Sequence, residues 1–360
     1  MELVAATGAG LRPERCHLLR IRSSSSVSRS CFKFEASRHD AKARTPMKAV
    51  RFHEYGDPEV LRYEDLEQPV PGPGQVRIRV AATSFNSVDG NIRGGFMRGP
   101  IPVELPHTPG LDVAGTVDAL GEGVDGLVVG DEVIGFLPMD KSGAAAEYVL
   151  APAEVLATAP KGVPLPDAAA LPVVGLTAYQ ALFDHGKLTA GQRVLINGAG
   201  GAVGGYAVQL AKGAKAHVIA TAGPRSAEAV KSAGADEVID HTATSVPDAV
   251  SEPVDVVLNL APVDPAQLAA LVTLVRPGGV VVNTTVWMPA PSDEERGVRG
   301  IDLFVRSDAE QLSRLVALVD RGELRVAVAE RAPLAELAAL HARAAEGAVH
   351  GKVIVVPSAA

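Results

Sequence analysis

The segment Val194-Leu195-Ile196-Asn197-Gly198-Ala199-Gly200-Gly201-Ala202-Val203-Gly204 constrains the fold of this chain more than any other. An apolar strand runs into a tight turn, and a helix begins at once. Gly198, Gly201 and Gly204 recur every third position. Glycines so placed permit the turn, let the backbone approach a bound pyrophosphate, and let helix and strand pack closely. The free N–H groups and the positive end of the following helix then hold the anion. The dipole alone contributes about 0.3–1 kcal/mol, so several N–H bonds must supply the rest. Gly200, Ala202 and Val203 complete the expected phosphate cradle.

The surrounding pattern agrees with that turn. Strands are expected at Arg193–Ile196, His217–Ala220, Val238–Ile239, Val254–Leu258 and Gly279–Asn283, with helices at 167–186, 203–212, 226–233 and 265–275. Strands alternating with helices imply a parallel sheet with right-handed crossovers. The near-continuous apolar character of the strands fits burial on both faces. Residues 171–305 therefore read as an α/β Rossmann domain, a doubly wound parallel sheet. Residues 47–170 read differently, as short strands such as Val76–Val80, Val113–Val117 and Glu132–Phe136, broken by Gly and Pro. Residues 306–360 bring helices at 308–320 and 333–346, each followed by a β-run, Leu324–Val328 and Lys352–Val356. This tail is expected to return to the first, β-rich domain.

The end of the second strand bears on which dinucleotide fits. An Asp or Glu about 20 residues after the glycine turn binds the ribose 2′-hydroxyl of NAD. Here the chain reads Ala220-Thr221-Ala222-Gly223-Pro224-Arg225-Ser226, with no acid between Lys212 and Glu228. A carboxylate would repel a 2′-phosphate, whereas Arg225 pairs with one through charge-assisted bonds. This favours NADPH, with Thr221 and Ala222 beside it; the alternative is that Arg225 sits on a solvated helix start.

Composition narrows the remaining classes. The formal net charge of −8 argues against nucleic acid as the main partner. No apolar run approaches the roughly 20 residues of a membrane span. Residues 1–46 are unlike the rest, with nine Lys and Arg against four acids and the run Ser23–Ser26. They read either as a dispensable extension before Met47 or as an organelle transit peptide, and disorder is expected in them. A cytoplasmic location follows from the first reading. Both cysteines, Cys16 and Cys31, fall in that leader. The body therefore has no disulfide, no Cys nucleophile and no Cys-ligated zinc. Seven histidines remain there, none in an HxxxH spacing, so no metal site is expected.

Several ordered segments carry a family resemblance. They are Pro109–Gly115, Gly130–Val133, Gly175–Leu182, the glycine turn running into Ala207–Lys212, Gly234–Asp240 and His350–Ile354. Over 47–356 the chain resembles the zinc-lacking quinone oxidoreductases of the medium-chain dehydrogenase/reductase superfamily, the group that includes zeta-crystallin. The resemblance implies a GroES-like catalytic domain beside the Rossmann domain, a cleft between them, NADPH and a homodimer. It places Thr177 near the nicotinamide, Asn86 in the cleft, and Thr284, Gly351, Lys352 and His241 among the cofactor contacts. Two departures stand out: Gly200-Gly201-Ala202 replaces a usual Ala-Gly-Gly, and His241 stands where a tyrosine is common. Where zinc-dependent members carry a His-Glu pair the chain has Leu111-Asp112, and Leu137–Ala144 is short where they carry a four-cysteine lobe.

Without a Lewis acid to polarise a carbonyl, the chemistry expected is hydride transfer to a carbon already activated by conjugation, in a quinone or an enone. Asn86, Asp89 and Thr177 are the polar catalytic candidates, although Asp89 also fits a turn bond beside Asn86. Tyr179 and Tyr206 are expected to pack inside helices. Trp287 is expected either on the pocket wall or in packing or a dimer surface. Two other readings stay open: an enoyl reductase acting on a biosynthetic intermediate, and an NADPH-binding protein without turnover.

Overall fold

The computed structural model describes residues 45–285 and 287–357. The disorder expected for the leader falls outside the described residues, apart from positions 45 and 46. There the first strand, β1 (Pro46–Phe52), already begins, pairing antiparallel with β2 (Leu61–Glu67).

The β-rich lobe is built on β3 (Gln75–Ser84), whose Val76, Ile78, Val80 and Ala82 alternate inward. The short helix α1 (Ser87–Arg93) follows it, and β4 (Asp112–Leu120), β5 (Glu132–Phe136), β6 (Tyr148–Pro152) and β7 (Leu156–Thr158) complete the sequence-local part of the sheet. A single helix was expected over 167–186. The chain instead forms α2 (Leu165–Ala168) and α3 (Pro172–Tyr179), continued by a wide helical turn at Gln180–His185. The break falls at Pro172, which lacks an N–H and is tolerated only in a first turn.

The second lobe alternates as the apolar periods predict. In order come β8 (Arg193–Asn197), α4 (Ala202–Gly213), β9 (His217–Ala222), α5 (Ala227–Ser232), β10 (Glu237–Asp240), α6 (Val246–Ala249), β11 (Val254–Asn259), α7 (Pro265–Thr273), β12 (Val275–Asn283) and β13 (Arg299–Asp302). The sheet order is β10-β9-β8-β11-β12-β13, all parallel. Both faces are dry: Val194, Ile196, Val256 and Leu258 pack on one side, and Leu195, Ile219, Val257 and Val281 on the other. The strand order reverses between β8 and β11, which opens a crevice at their carboxyl ends.

After the Rossmann sheet, α8 (Ala309–Asp320) buries Leu312, Leu315, Val316 and Val319 on one face and is capped by Asp308, which accepts from the Gln311 amide. The strand expected at Leu324–Val328 does not form. Leu324 is buried, Val326 and Val328 pack against the same core, and the Arg325 amide donates to the Gln209 side chain at 2.8 Å. The alternation is used for one-sided burial along the α4 side of the Rossmann lobe, and the Arg325 backbone pairs with the Gln209 side chain in place of a ladder. The strand lies further on, at β14 (Glu330–Pro333), parallel to β15 (Val353–Val356), with α9 (Leu337–Ala345) between them. β15 pairs antiparallel with β3. The first lobe's sheet therefore runs β14-β15-β3-β4-β5-β7, with β6 also on β3.

Candidate active site

The glycine turn leaves β8 through Gly198, whose φ of 89° is the left-handed region that a side chain disfavours. Gly204 is needed for a different reason, since a Cβ there would sit 2.4 Å from the Ala199 carbonyl. At Gly201 a Cβ would meet nothing nearer than the Gly198 oxygen at 3.6 Å, so packing within the chain does not demand glycine. Part of the turn's hydrogen-bonding capacity is consumed internally. The Gly198 amide donates to Thr221 Oγ1 (2.8 Å), the Ala199 amide to the Thr221 carbonyl (3.0 Å), and the Gly201 amide to the Gly198 carbonyl (3.2 Å). The amides of Ala202, Val203 and Gly204 open α4, which has no side-chain cap, and first-turn amides have no intrahelical partner. The amides left free at the start of α4 are thus those of 202–204.

These residues line one side of a cavity of about 540 Å³ between the lobes. Asn86 and Val88 enter from α1 and its approach, Thr177 from α3, Thr284 and Thr285 from the end of β12, and Gly351 and Lys352 from the approach to β15. Most of the remaining wall is apolar, including Phe85, Met97, Met139, Val173, Leu260 and Leu303. Of the expected site residues, Asn86, Thr177, Gly198, Gly201, Ala202, Val203, Gly204, Thr284, Gly351 and Lys352 come together here. Trp287 joins the wall at the mouth, edge-on to Phe96 with ring centroids 6.3 Å apart.

The polar end of the cavity rests on a buried ion pair. Lys352 Nζ donates to Asn86 Oδ1 (2.6 Å), Asp112 Oδ2 (3.2 Å) and the Phe85 carbonyl (3.3 Å). Asp112 Oδ2 also accepts from Asn86 Nδ2 (2.9 Å) and the Ser84 hydroxyl, and its Oδ1 accepts from the Val173 amide at the start of α3 (2.7 Å). Both charged side chains are almost wholly removed from water. Asp112 thereby ties together β3, β4, α3 and the chain's tail. Sequence reasoning noted it only as the occupant of a lost ligand position. The available signal was a lone carboxylate between Leu111 and Val113, which a buried strand does not carry without a partner. Thr177 donates its hydroxyl to the Val173 carbonyl (2.7 Å), so toward the cavity it acts as an acceptor.

The other expected residues stand outside the cavity wall. Asp89 is buried behind it, with Oδ2 accepting from the Asn86 amide (2.9 Å) and Oδ1 from the Gly110 amide (3.1 Å). Burial pushes its carboxyl up to about 6, against the pull of those two amides. Thr221 and Ala222 are buried at the end of β9. Gly200 is at the exposed rim, close against Ser226. Arg225 is exposed, and its Nη1 donates to Nε2 of His350 at 2.8 Å. His241 is exposed and faces Gly223. The Tyr206 hydroxyl donates to the Ala170 carbonyl inside the core. Among the described residues no group of three or more His, Cys, Asp or Glu is placed to hold a metal ion.

A GroES-like lobe and a Rossmann lobe closing on one cleft define a nicotinamide-dependent oxidoreductase of the medium-chain dehydrogenase/reductase class. Residues 72–161 match the alcohol dehydrogenase GroES-like domain, and residues 233–355 match the family described as zinc-binding dehydrogenase. The quinone-oxidoreductase QR1, chloroplastic, of Triphysaria versicolor is 33% identical over 328 residues, covering 86% of this chain and 98% of the relative. The solved quinone oxidoreductase from Coxiella burnetii superposes with a TM-score of 0.80 at 30% identity, covering 87% of this chain and 99% of that one. Mycobacterial Rv1454c, solved in complex with NADPH, gives a TM-score of 0.74 at 29% identity, covering 86% of this chain and 100% of that one. The chain belongs to the zeta-crystallin-like quinone oxidoreductases of the medium-chain dehydrogenase/reductase superfamily.

Proposed function

We propose that this protein is an NADPH-dependent oxidoreductase that reduces a quinone or another α,β-unsaturated carbonyl without a metal. One observation carries the reading. The unpaired amides of Ala202, Val203 and Gly204 open into the same apolar-walled cavity as Asn86 and Thr177. The open space over Gly201 fits the close approach of a pyrophosphate. When bound, the reduced nicotinamide supplies a hydride from C4 to an electrophilic carbon.

The chain's own residues do the rest. Ala202–Gly204 would hold the phosphates, and Thr177 would offer the cofactor an acceptor. Asn86 uses one Nδ2 hydrogen on Asp112, and an amide carries two, so the second serves the substrate oxygen. Lys352 and Asp112 hold that amide still. Phe85, Val173 and Leu303 exclude water from the reacting faces. The proton that completes reduction comes from solvent at the open mouth. Arg225 favours the 2′-phosphate of NADPH, and no carboxylate lies between Lys212 and Glu228 to oppose it. Among the described residues no group of three or more His, Cys, Asp or Glu is placed to hold a metal ion, in keeping with a metal-free reaction. A homodimer and a cytoplasmic site belong to the same reading, with organelle import as the alternative if residues 1–46 act as a transit peptide. The chloroplastic relative supports that alternative.

The test is NADPH oxidation by protein starting at Met47, screened across quinones, 2-alkenals and enoyl thioesters, with and without chelator. Turnover on a quinone or enone that survives chelation is expected. Absence of dinucleotide binding, or loss of turnover on chelation, overturns the proposal. Turnover confined to enoyl thioesters reassigns the protein as an enoyl reductase.

A further inference from the structure

The carboxyl edge of the Rossmann sheet carries a row of polar side chains, buried except at the last strand, where Asp302 is exposed. Asn197, Asn259, Asn283 and Asp302 end β8, β11, β12 and β13, and they are register partners of one another across the sheet. On β9, Thr221 extends the row beside Asn197, one step beyond the pairing of Ile196 with Ala220. Thr221 and the three asparagines are each at most 5% exposed. Amides in such a place are unfavourable unless paired, and here each is paired along the row. Thr221 Oγ1 donates to Asn197 Oδ1 (2.9 Å), Asn197 Nδ2 to Asn259 Oδ1 (2.8 Å), and Asn259 Nδ2 to Asn283 Oδ1 (2.9 Å).

The two ends of the row reach the glycine turn and the cavity wall. At one end the Gly198 amide donates to Thr221 Oγ1. At the other, Asn283 Nδ2 donates to the carbonyls of Thr285 (3.0 Å) and Met288 (2.8 Å), and the Thr285 hydroxyl returns a bond to Asn283 Oδ1 (2.8 Å). Thr285 and Trp287 belong to the cavity wall, yet Trp287 is 59% exposed, so little apolar packing anchors it. β8 and β12 are separated by β11, about 10 Å between the strands that carry turn and wall. From Thr221 Oγ1 through Asn197 and Asn259 to Asn283 the side-chain donors point across the sheet toward the wall, and the Thr285 amide and hydroxyl point back to Asn283 Oδ1.

We propose that Thr221, Asn197, Asn259 and Asn283 are positioning residues that hold the cavity wall at Thr285 and Trp287 in fixed register with the glycine turn. The inference rests on the proposed reading that one dinucleotide reaches from that turn to that wall. The row sets the distance between the two ends of its site, so the reactive ring meets the substrate at a constant place.

The sole tryptophan makes this measurable. Asn259→Leu keeps the side chain's branched shape, though not its volume, and cuts the row at its middle. In the full chain, with thermal melting to verify folding, acrylamide quenching of Trp287 should roughly double and kcat at saturating NADPH and quinone should fall about ten-fold. Thr285→Val, at the accessible end, should raise quenching and lower kcat about three-fold. A folded Asn259→Leu protein with a lower melting temperature but wild-type quenching and kcat overturns the proposal, because the row is then only structural. If Asn259→Leu does not fold, Thr285→Val decides on the same two readouts. If wild-type protein binds no NADPH, the proposed cofactor fails, and the quenching comparison still decides whether the row fixes the wall.

Discussion

Lys352 and Asp112 are each tolerable only in the other's presence. Removing one partner of a buried pair leaves a desolvated charge, which costs about 3–5 kcal/mol. Lys352→Met should lower the unfolding free energy by that amount in urea titration, and adding Asp112→Asn should recover part of it. The glycines make a second contrast. Gly204→Ala drives a Cβ against the Ala199 backbone and should destabilise by about 1–3 kcal/mol. Gly201→Ala meets open space and should leave stability within about 0.5 kcal/mol, while raising the Kd for NADPH about ten-fold. Equal dinucleotide affinity in Gly201→Ala would show that no phosphate passes over it. Asp89 supplies a pH signature. Its folded value is raised from 3.8 to about 6, so the folded state holds the proton more tightly. Its contribution is fully present below about 4 and is lost as pH rises through about 6. Buried His107 and His341, held down to about 4 and about 3 mainly by burial, act in the opposite sense and lose stability as pH falls below 6.5. The difference in urea stability between wild type and Asp89→Asn should therefore change across pH 4–6, and a flat difference would contradict that raised value.

At the scale of elements, some of the fold was legible in the sequence and some was not, for physical reasons. The parallel sheet could be read because strands such as β11 are buried on both faces and carry an unbroken apolar run. The glycine turn could be read because its spacing answers to local geometry. The segment at 324–328 was misread because alternation reports one-sided burial, not which backbone pairs with it. Its neighbours, Gln209 and Ser232, lie far away in sequence. The split between α2 and α3 was signalled by Pro172 but overridden by a long apolar run. The site was legible where residues act through backbone, as at 198–204. The partners of Asp112 and the asparagine row were not, because each link joins separate strands. Leu315 on α8 tests the packing of these helices: fully buried, it should cost about 2–5 kcal/mol when cut to Ala, read by urea titration.

At the scale of the whole molecule, two sheets of unlike construction meet at one cleft, and the chain crosses between them more than once. β14 and β15 return the tail to the β-rich sheet, while the stretch between α8 and β14 leans on the Rossmann lobe. Asp112 meets its counterion only when a lysine 240 residues further along arrives beside it. During synthesis, a ribosome must therefore release almost the whole described body before that carboxylate is neutralised. A nascent fragment ending short of β15 would hold a finished glycine turn facing an unfinished wall. The polar end of the cavity is thus completed last, when Lys352 arrives beside Asn86 and Asp112.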